Sequence, residues 1–438
     1  MSTPVWTWLP GSNEPVLAAH VDVDAGGGRF VYEADYKRRQ SALPLDPMHL
    51  RLGRGAAAIK LPGEHALPGV IQDAMPDGYG RDRLQARHAR ELGPLELLSL
   101  GPPDGVGAIE VCRDIEIKLR WTPHTLHELI EQVQLLDEDA PSSRAIRRMN
   151  DDGGTSAGGE RPKATIEDEG SLWLAKLQDR GDAPHLPARE FVVMQMAAEL
   201  GLNVPRIRFI RHDQHEVFLI ERFDRAGDPR RPQRHLYASA RTVLGLDAGA
   251  MPGDARRSYL VLADRLRRWI ADEQHCRQDL SELWRRMAYN ALVGNHDDHP
   301  RNHGLLHTGE GWRLSPVFDV TPLPGFAGLL ALSVLPDGSQ ACSAHNLLSV
   351  CSHFGVELPE AVAWLGNAAQ HVAGHWQPRL RDQGVQDGYV ARFQPAFVMA
   401  TELAEHPEQL ATAAEKVEAQ GRRGKRSRRP GQRTNWST

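Results

Sequence analysis

Two short apolar runs, Val16 to Val23 and Phe30 to Tyr32, flank Asp24-Ala25-Gly26-Gly27-Gly28, a pattern that predicts a β-hairpin. Helical spacing follows over about Arg81 to Leu92, after the turn Pro76-Asp77-Gly78-Tyr79-Gly80. Gly101-Pro102-Pro103-Asp104-Gly105 reads as a loop and Ile109 to Cys112 as a strand. A second unit opens near Trp121. It comprises a helix over His124 to Leu136, a polar glycine-rich segment (Asp151 to Gly159), and strand-like runs at Lys163 to Ile166 and Leu172 to Leu177. A helix from about Ala188 to Leu200 then stops at Gly201, a residue suited to the left-handed position past a helix end, and Val217 to Ile220 is a further strand. From there the pattern is mostly helical. Asp279-Leu280-Ser281-Glu282 has the acidic cap and third-position Glu that open a helix, and Leu283, Trp284, Met287 and Ala291 continue at helical spacing to Gly294.

This layout predicts an α+β protein of two lobes behind a small N-terminal α/β subdomain. The expected units are residues 1–118 (N-terminal subdomain), 119–225 (β-rich lobe), 226–420 (predominantly helical lobe) and 421–438 (basic tail). The tail carries basic side chains, no acid and hardly an apolar residue, so it reads as disordered. A chain of 438 residues with 41% hydrophobic content suits two or three domains, and its net charge of −5 demands neither nucleic acid nor membrane as a direct partner. The cysteines Cys112, Cys276, Cys342 and Cys351 form no C-x-x-C pair, which suits a reducing compartment. Neither a signal peptide nor a run of about 18 apolar residues is present, so the expectation is a cytoplasmic protein.

Candidate chemistry concentrates in Gly294-Asn295-His296-Asp297-Asp298-His299-Pro300-Arg301-Asn302, followed by Ser315-Pro316-Val317-Phe318-Asp319. Asp297 and Asn302 stand in a D-x-x-x-x-N spacing, and a hairpin turning at Thr308-Gly309-Glu310-Gly311 brings Asp319 back beside Asn302. Phosphoryl transfer uses such a set: one carboxylate orients the attacking hydroxyl, while an amide oxygen and a second carboxylate hold magnesium. A lone Asp past a helix is more often a solvated turn-former; the spacing is what favours function here. His296, His299 and His303 crowd the same loop, and Gly294-Asn295-His296-Asp297 matches one block of binuclear-metal phosphoesterases. Asp213-Gln214-His215 supplies a second block of that kind, but the G-D-x-x-D and G-H-x-H blocks are missing.

At the phosphate end, Gly153, Gly154, Gly158 and Gly159 surround Thr155 and Ser156, with Lys163 just beyond. Glycines let backbone N–H groups turn toward an anion, although a flexible linker has the same composition. No G-K-[ST] ends the segment, so it is not a P-loop. Lys176 lies inside an apolar strand, and Glu190 shares a helix face with Val193, Met194, Ala197 and Leu200. A Lys176–Glu190 ion pair on the nucleotide phosphates accounts for both, the alternative being a lysine pointing outward from a half-exposed strand. Glu221-Arg222-Phe223-Asp224 falls where a hinge joins the lobes, its backbone toward adenine and Asp224 toward the ribose.

In order and wording these segments resemble the HipA-like serine/threonine kinases, the toxin half of HipA/HipB-type toxin–antitoxin pairs, from about Val16 to Leu410. Val293 to Asn302 follows that family's G-x-x-D-x-H-x-[KR]-N, and Ser315 to Val320 is similar to its P-x-[YF]-D-[VIL] block. Phe218 to Arg225 matches its V-E-R-F-D-R hinge, and Met75-Pro76-Asp77-Gly78 its L-P-D-G turn. Gly159-Glu160-Arg161-Pro162-Lys163 resembles its G-A-Q-x-K loop, with Glu160 and Arg161 in place of a small residue and glutamine.

The resemblance implies a protein-kinase-like fold using ATP and Mg2+, with Asp297 as catalytic acid, His299 beside it, Asn302 and Asp319 on the metal, and Lys176 on the phosphates. It further implies autophosphorylation at Ser156, seven residues before Lys163, which places phosphate charge where those of ATP should lie. An aminoacyl-tRNA synthetase is the implied substrate class, and a HipB-like antitoxin the implied partner, with DNA reached only through it. Two other readings stand beside this one: a degenerate kinase fold serving as a binding protein in a DNA-bound repressor complex, and a metal-dependent phosphoesterase.

Overall fold

The computed structural model describes residues 2–53, 58–63, 66–136, 140–150, 155–246, 253–325 and 328–427. The first sheet comprises β1 (Thr3–Trp8), β2 (Pro15–Asp24), β3 (Gly27–Tyr32), β4 (Ile59–Leu61) and β5 (Ile109–Val111), in the order β4-β3-β2-β1-β5. The expected hairpin is β2–β3, closed where Asp24 faces Gly27 and where the Asp24 carboxylate accepts the Gly26 N–H at 2.7 Å. Strand β1 was not foreseen, although it is interior, lying between β2 and β5. Its sequence hides it: Pro4 lacks an N–H, and the register shifts between Val5 and Trp6, breaking the alternation. The helix after the Pro76-Asp77 turn is Gly78–His88, three residues earlier than its apolar spacing suggested.

The second sheet holds β6 (His124–Thr125), β7 (Lys163–Asp168), β8 (Ser171–Leu177), β9 (Ile207–His212) and β10 (His215–Glu221), in the order β6-β7-β8-β10-β9. Alternation along β8 divides its side chains. Trp173, Ala175 and Leu177 join a core with helices Leu126–Gln134 and Ser143–Met149, a large buried apolar side chain contributing roughly 2–3 kcal/mol. Leu174 and Lys176 face the other way, toward the side where Phe218 and Ile220 pack with helix Leu186–Glu199. Lys176 is therefore on the side of the sheet that meets the rest of the protein.

Short strands β11 (Arg225–Ala226) and β12 (Gln233–Arg234) pair with each other, and β13 (Leu236–Ser239), β14 (Gly304–His307) and β15 (Trp312–Leu314) form a third sheet. The remainder is helical, centred on Glu273–Leu292 and Leu358–Asp382 with Trp284 and Trp376 fully buried. The first of these helices starts six residues before the expected Asp279. Asp272 is its cap, accepting the His275 N–H at 2.7 Å, while buried Asp279 accepts from Arg313 and from the Leu314 N–H on β15. The last described helix, Glu408–Ser427, runs through the start of the expected tail, and residues 428–438 lie outside the described set.

The N-terminal subdomain shares one continuous core with the helical lobe. At that junction the Asp73 carboxylate accepts from Ser239 N–H at 2.8 Å, Ser239 Oγ at 2.6 Å and Thr242 Oγ1 at 2.8 Å. The turn that follows at Asp77 is thus anchored to the same lobe as Asp297. All four cysteines are free and buried, and no helix among the described residues is long and apolar enough to cross a membrane.

Candidate active site

Lys176 ties the β-rich lobe to the segment beyond the Asp297 loop. Its Nζ donates to Glu190 Oε1 and to Asp319 Oδ1, both at 2.6 Å. Burial by itself lowers the proton affinity of the ammonium, but the Asp319 and Glu190 carboxylates overcome it and hold the lysine charged. Asp319, though desolvated, is kept ionised below the usual carboxylate range by Lys176 and Lys163. The backbone at Asp319 adopts φ 59°, a left-handed conformation costly for a residue with a Cβ and common where function fixes a side chain.

The loop from Gly294 to Asn302 begins where helix Glu273–Leu292 ends. Gly294 has φ 64°, and a Cβ there would lie 2.4 Å from the Ala396 carbonyl oxygen, so only glycine permits this turn. Asn302 Nδ2 donates to the Asp297 carbonyl at 2.8 Å, which frees its Oδ1 to act as a ligand, and Asn302 and Asp319 line one cavity. His299 Nε2 stands 3.9 Å from Asp297 Oδ1. Asp297 is exposed while Asp298 points inward, its carboxylate accepting from Tyr259 Oη and, at 2.6 Å, from the Ala331 N–H. Burial pushes the Asp298 carboxyl up to about 7.

Magnesium fits this donor set. It asks for a few hard oxygen ligands and keeps several waters and phosphate oxygens, so Asn302 Oδ1 and the second Asp319 oxygen suffice. Among the described residues no three His, Cys, Asp or Glu side chains gather as a metal cage. His303 is buried against Tyr259 with burial lowering it to about 3, and His215 pairs with Ser142 at 2.9 Å.

Of the glycine-rich segment, Gly153 and Gly154 lie outside the described residues. Gly159 has φ 114°, and a Cβ on it would sit 2.4 Å from Lys163 Nζ, which itself donates to the Gly158 carbonyl. Glu160 is exposed, and Arg161 Nε donates to Asp182 at 2.6 Å. Ser156 is turned away. Its Oγ donates to the Pro102 carbonyl and its N–H to Asp104, each at 2.6 Å, in a buried seam with the N-terminal subdomain.

The hinge is where one expectation fails. Asp224 does not present its carboxylate to a ribose; it is 2% exposed and accepts from Arg222, Arg225 and the Gly107 N–H. Arginines outweigh the desolvation of Asp224, and Arg222 also donates to the Asp104 carbonyl at 2.6 Å, so this acid rivets the hinge to the N-terminal subdomain. Glu221 is tied to Arg206 through its carboxylate and through its N–H, which donates to the Arg206 carbonyl at 2.9 Å. Phe223 lies 5.6 Å, ring to ring, from Phe318, the neighbour of Asp319.

Sequence reasoning passed over Asp77, Asp104, Asp298 and Arg301. All four stand within motifs or loops legible in the sequence, but none carries a spacing that gives it a role, and no spacing marks Asp104 or Asp298 as buried.

Residues 155–376 match the family model of the HipA-like C-terminal domain, and residues 14–112 that of the HipA N-terminal domain. The chain belongs to the HipA-like family. The serine/threonine-protein kinase toxin HipA of Shewanella oneidensis is 27% identical over 153 residues, 31% of this chain and 34% of that protein. A putative kinase of Haemophilus influenzae is 29% identical over 165 residues, 35% of this chain and 47% of that protein. The matched region thus spans about a third and about half of these relatives' lengths. The solved Shewanella oneidensis MR-1 complex of HipA, HipB and its operator DNA contains a chain sharing this HipA-like fold. The TM-score is 0.64 over 92% of this chain and 97% of that one, at 16% identity. The two-lobed, kinase-like α+β architecture expected from the sequence is thereby established.

Proposed function

We propose that this chain is an ATP- and Mg2+-dependent protein kinase that phosphorylates a serine or threonine of a protein. The observation that carries this reading is Lys176 shared between Glu190 and Asp319, joining the β-rich lobe, its helix and the segment beyond the Asp297 loop at one point. Lys176 then pairs with the α- and β-phosphates, and the Gly158 N–H and the Lys163 ammonium bracket their far side. Backbone groups of Glu221 and Phe223 hold the base, with the Phe223 and Phe318 rings beside it. Asp297 accepts the proton of the attacking hydroxyl, and His299 stands close enough to orient it. Asn302 and Asp319 would hold Mg2+, which would supply positive charge against the phosphates when bound.

The aminoacyl-tRNA synthetases remain the substrate class this reading favours, with the cytoplasm as the site of action. Because a structurally similar chain sits in a complex with HipB and operator DNA, a HipB-like partner is proposed here too, with DNA reached through it. Calorimetric titration tests the nucleotide site: ATP binding is expected with Mg2+ and its Mg2+ dependence lost in Asp319→Asn. A wild-type chain that binds no ATP overturns the reading.

A further inference from the structure

Asp77 precedes helix Gly78–His88 as its N-cap residue, yet its side chain makes no capping hydrogen bond. An N-cap Asp usually accepts an N–H of the first turn, worth about 1 kcal/mol. Here both oxygens leave the helix: Oδ1 accepts the Gly159 N–H of the phosphate loop, and Oδ2 accepts from Arg301 Nη1 of the catalytic loop at 2.7 Å. The grip on Gly159 is two-sided, since its carbonyl accepts the Tyr79 N–H at 3.1 Å. Close approach depends on glycine. Gly78 has φ 45° and its Cβ would fall 2.5 Å from the Gly159 carbonyl oxygen, while a Cβ on Gly158 would fall 2.9 Å from Asp77 Oδ1.

We propose that Asp77 is a positioning residue that fixes the spacing between the phosphate loop and the catalytic loop. The inference rests on the kinase reading for its kinetic consequences only. In-line transfer needs the γ-phosphate, held on the Gly158–Lys163 side, to face the hydroxyl held at Asp297, and misplacement on the scale of an ångström lowers the rate steeply. Those two loops belong to different lobes. One carboxylate from the N-terminal subdomain bonds both, and that subdomain is fastened to the helical lobe through Asp73 and to the hinge through Asp224. The Asp77 and Arg301 side chains are 27% and 52% exposed. Such a pair contributes little to global stability, so its loss is read in geometry, not in unfolding.

The test uses the full chain with Asp77→Asn, Arg301→Gln and the double variant. Each single change is expected to lower kcat about tenfold with ATP affinity moved less than about threefold, and the double variant to be no worse than the weaker single. Arg301→Lys, which keeps the charge, is expected to recover part of the rate. Additive losses overturn the coupling. Hydrogen exchange of amides 155–163 in nucleotide-free protein gives a second readout: Asp77→Ala, which removes both acceptors, is expected to raise it about tenfold at unchanged Tm. Unchanged exchange there refutes the clamp even where kinetics are unreadable. A wild type that transfers no phosphate while Asp77→Ala still frees the loop overturns the kinase reading and leaves the clamp standing. If Asp77→Asn fails to fold, Arg301→Gln carries the kinetic arm.

Discussion

Lys176 and Asp319 are 143 residues apart in the chain and 2.6 Å apart in space. No local element makes that contact; it joins strand β8 to the segment that follows β15. The lysine also neutralises Glu190, whose side chain is 4% exposed. Lys176→Met therefore leaves a buried carboxylate unpaired. Loss of about 2–4 kcal/mol of stability is expected in urea unfolding, with phosphate transfer reduced by about a hundredfold or more.

Asp224→Asn separates the observed hinge from the expected one. The buried carboxylate serves Arg222, Arg225 and the Gly107 N–H, so the variant is expected to lose about 3 kcal/mol of stability. Its discrimination between ATP and a 2′-deoxy analogue should stay as in wild type. A selective loss of ribose recognition at unchanged Tm contradicts this assignment.

Asp298 supplies a pH dependence. Its folded carboxyl, raised to about 7 by burial, holds a proton across the window above the unfolded value near 4, where the unfolded chain has released its own. Stability from this group therefore falls as pH rises through that window and levels off above about 7. Asp298→Asn keeps an acceptor for the Ala331 N–H and removes the ionisation. Relative to wild type, it should gain stability between pH 4 and pH 8, by up to about 4 kcal/mol; a pH-independent difference in Tm speaks against the buried carboxylate.

Ser156 is buried with its hydroxyl donating to a carbonyl. Ser156→Asp puts a carboxylate against the Pro102 carbonyl and near Asp104, and like charges in a dry seam repel. The loop is expected to leave that seam, with ATP affinity down by about tenfold or more and proteolytic sensitivity rising around residues 155–163. Ser156→Ala should retain transfer. Equal activity of the Asp and Ala variants contradicts the switch.

How far the fold was legible depended on whether contacts were local. The β2–β3 hairpin, β7, β8, β10 and the β14–β15 hairpin followed from alternation and turn residues within single stretches. The Lys176–Glu190 pair was legible for a related reason: a charge on an apolar strand and another on an apolar helix face need each other. What failed was long-range. Asp279 has the pattern of a cap but is claimed by Arg313 and β15, and Asp224 has the position of a ribose contact but is claimed by the N-terminal subdomain. Strand β1 is stabilised by neighbours from residues 15–24 and 109–111, which no window around Pro4 contains.

Phosphate transfer by this chain is expected to depend on Lys176, Asp319, Asn302 and Asp297. Incubation of the full chain with γ-labelled ATP and Mg2+, followed by phosphopeptide mass spectrometry, tests it most directly beside an Asp297→Asn control of matched Tm. Label on serine or threonine in the wild type, and none in the variant, is the predicted result; equal labelling of both, or none in either with any protein acceptor, contradicts it.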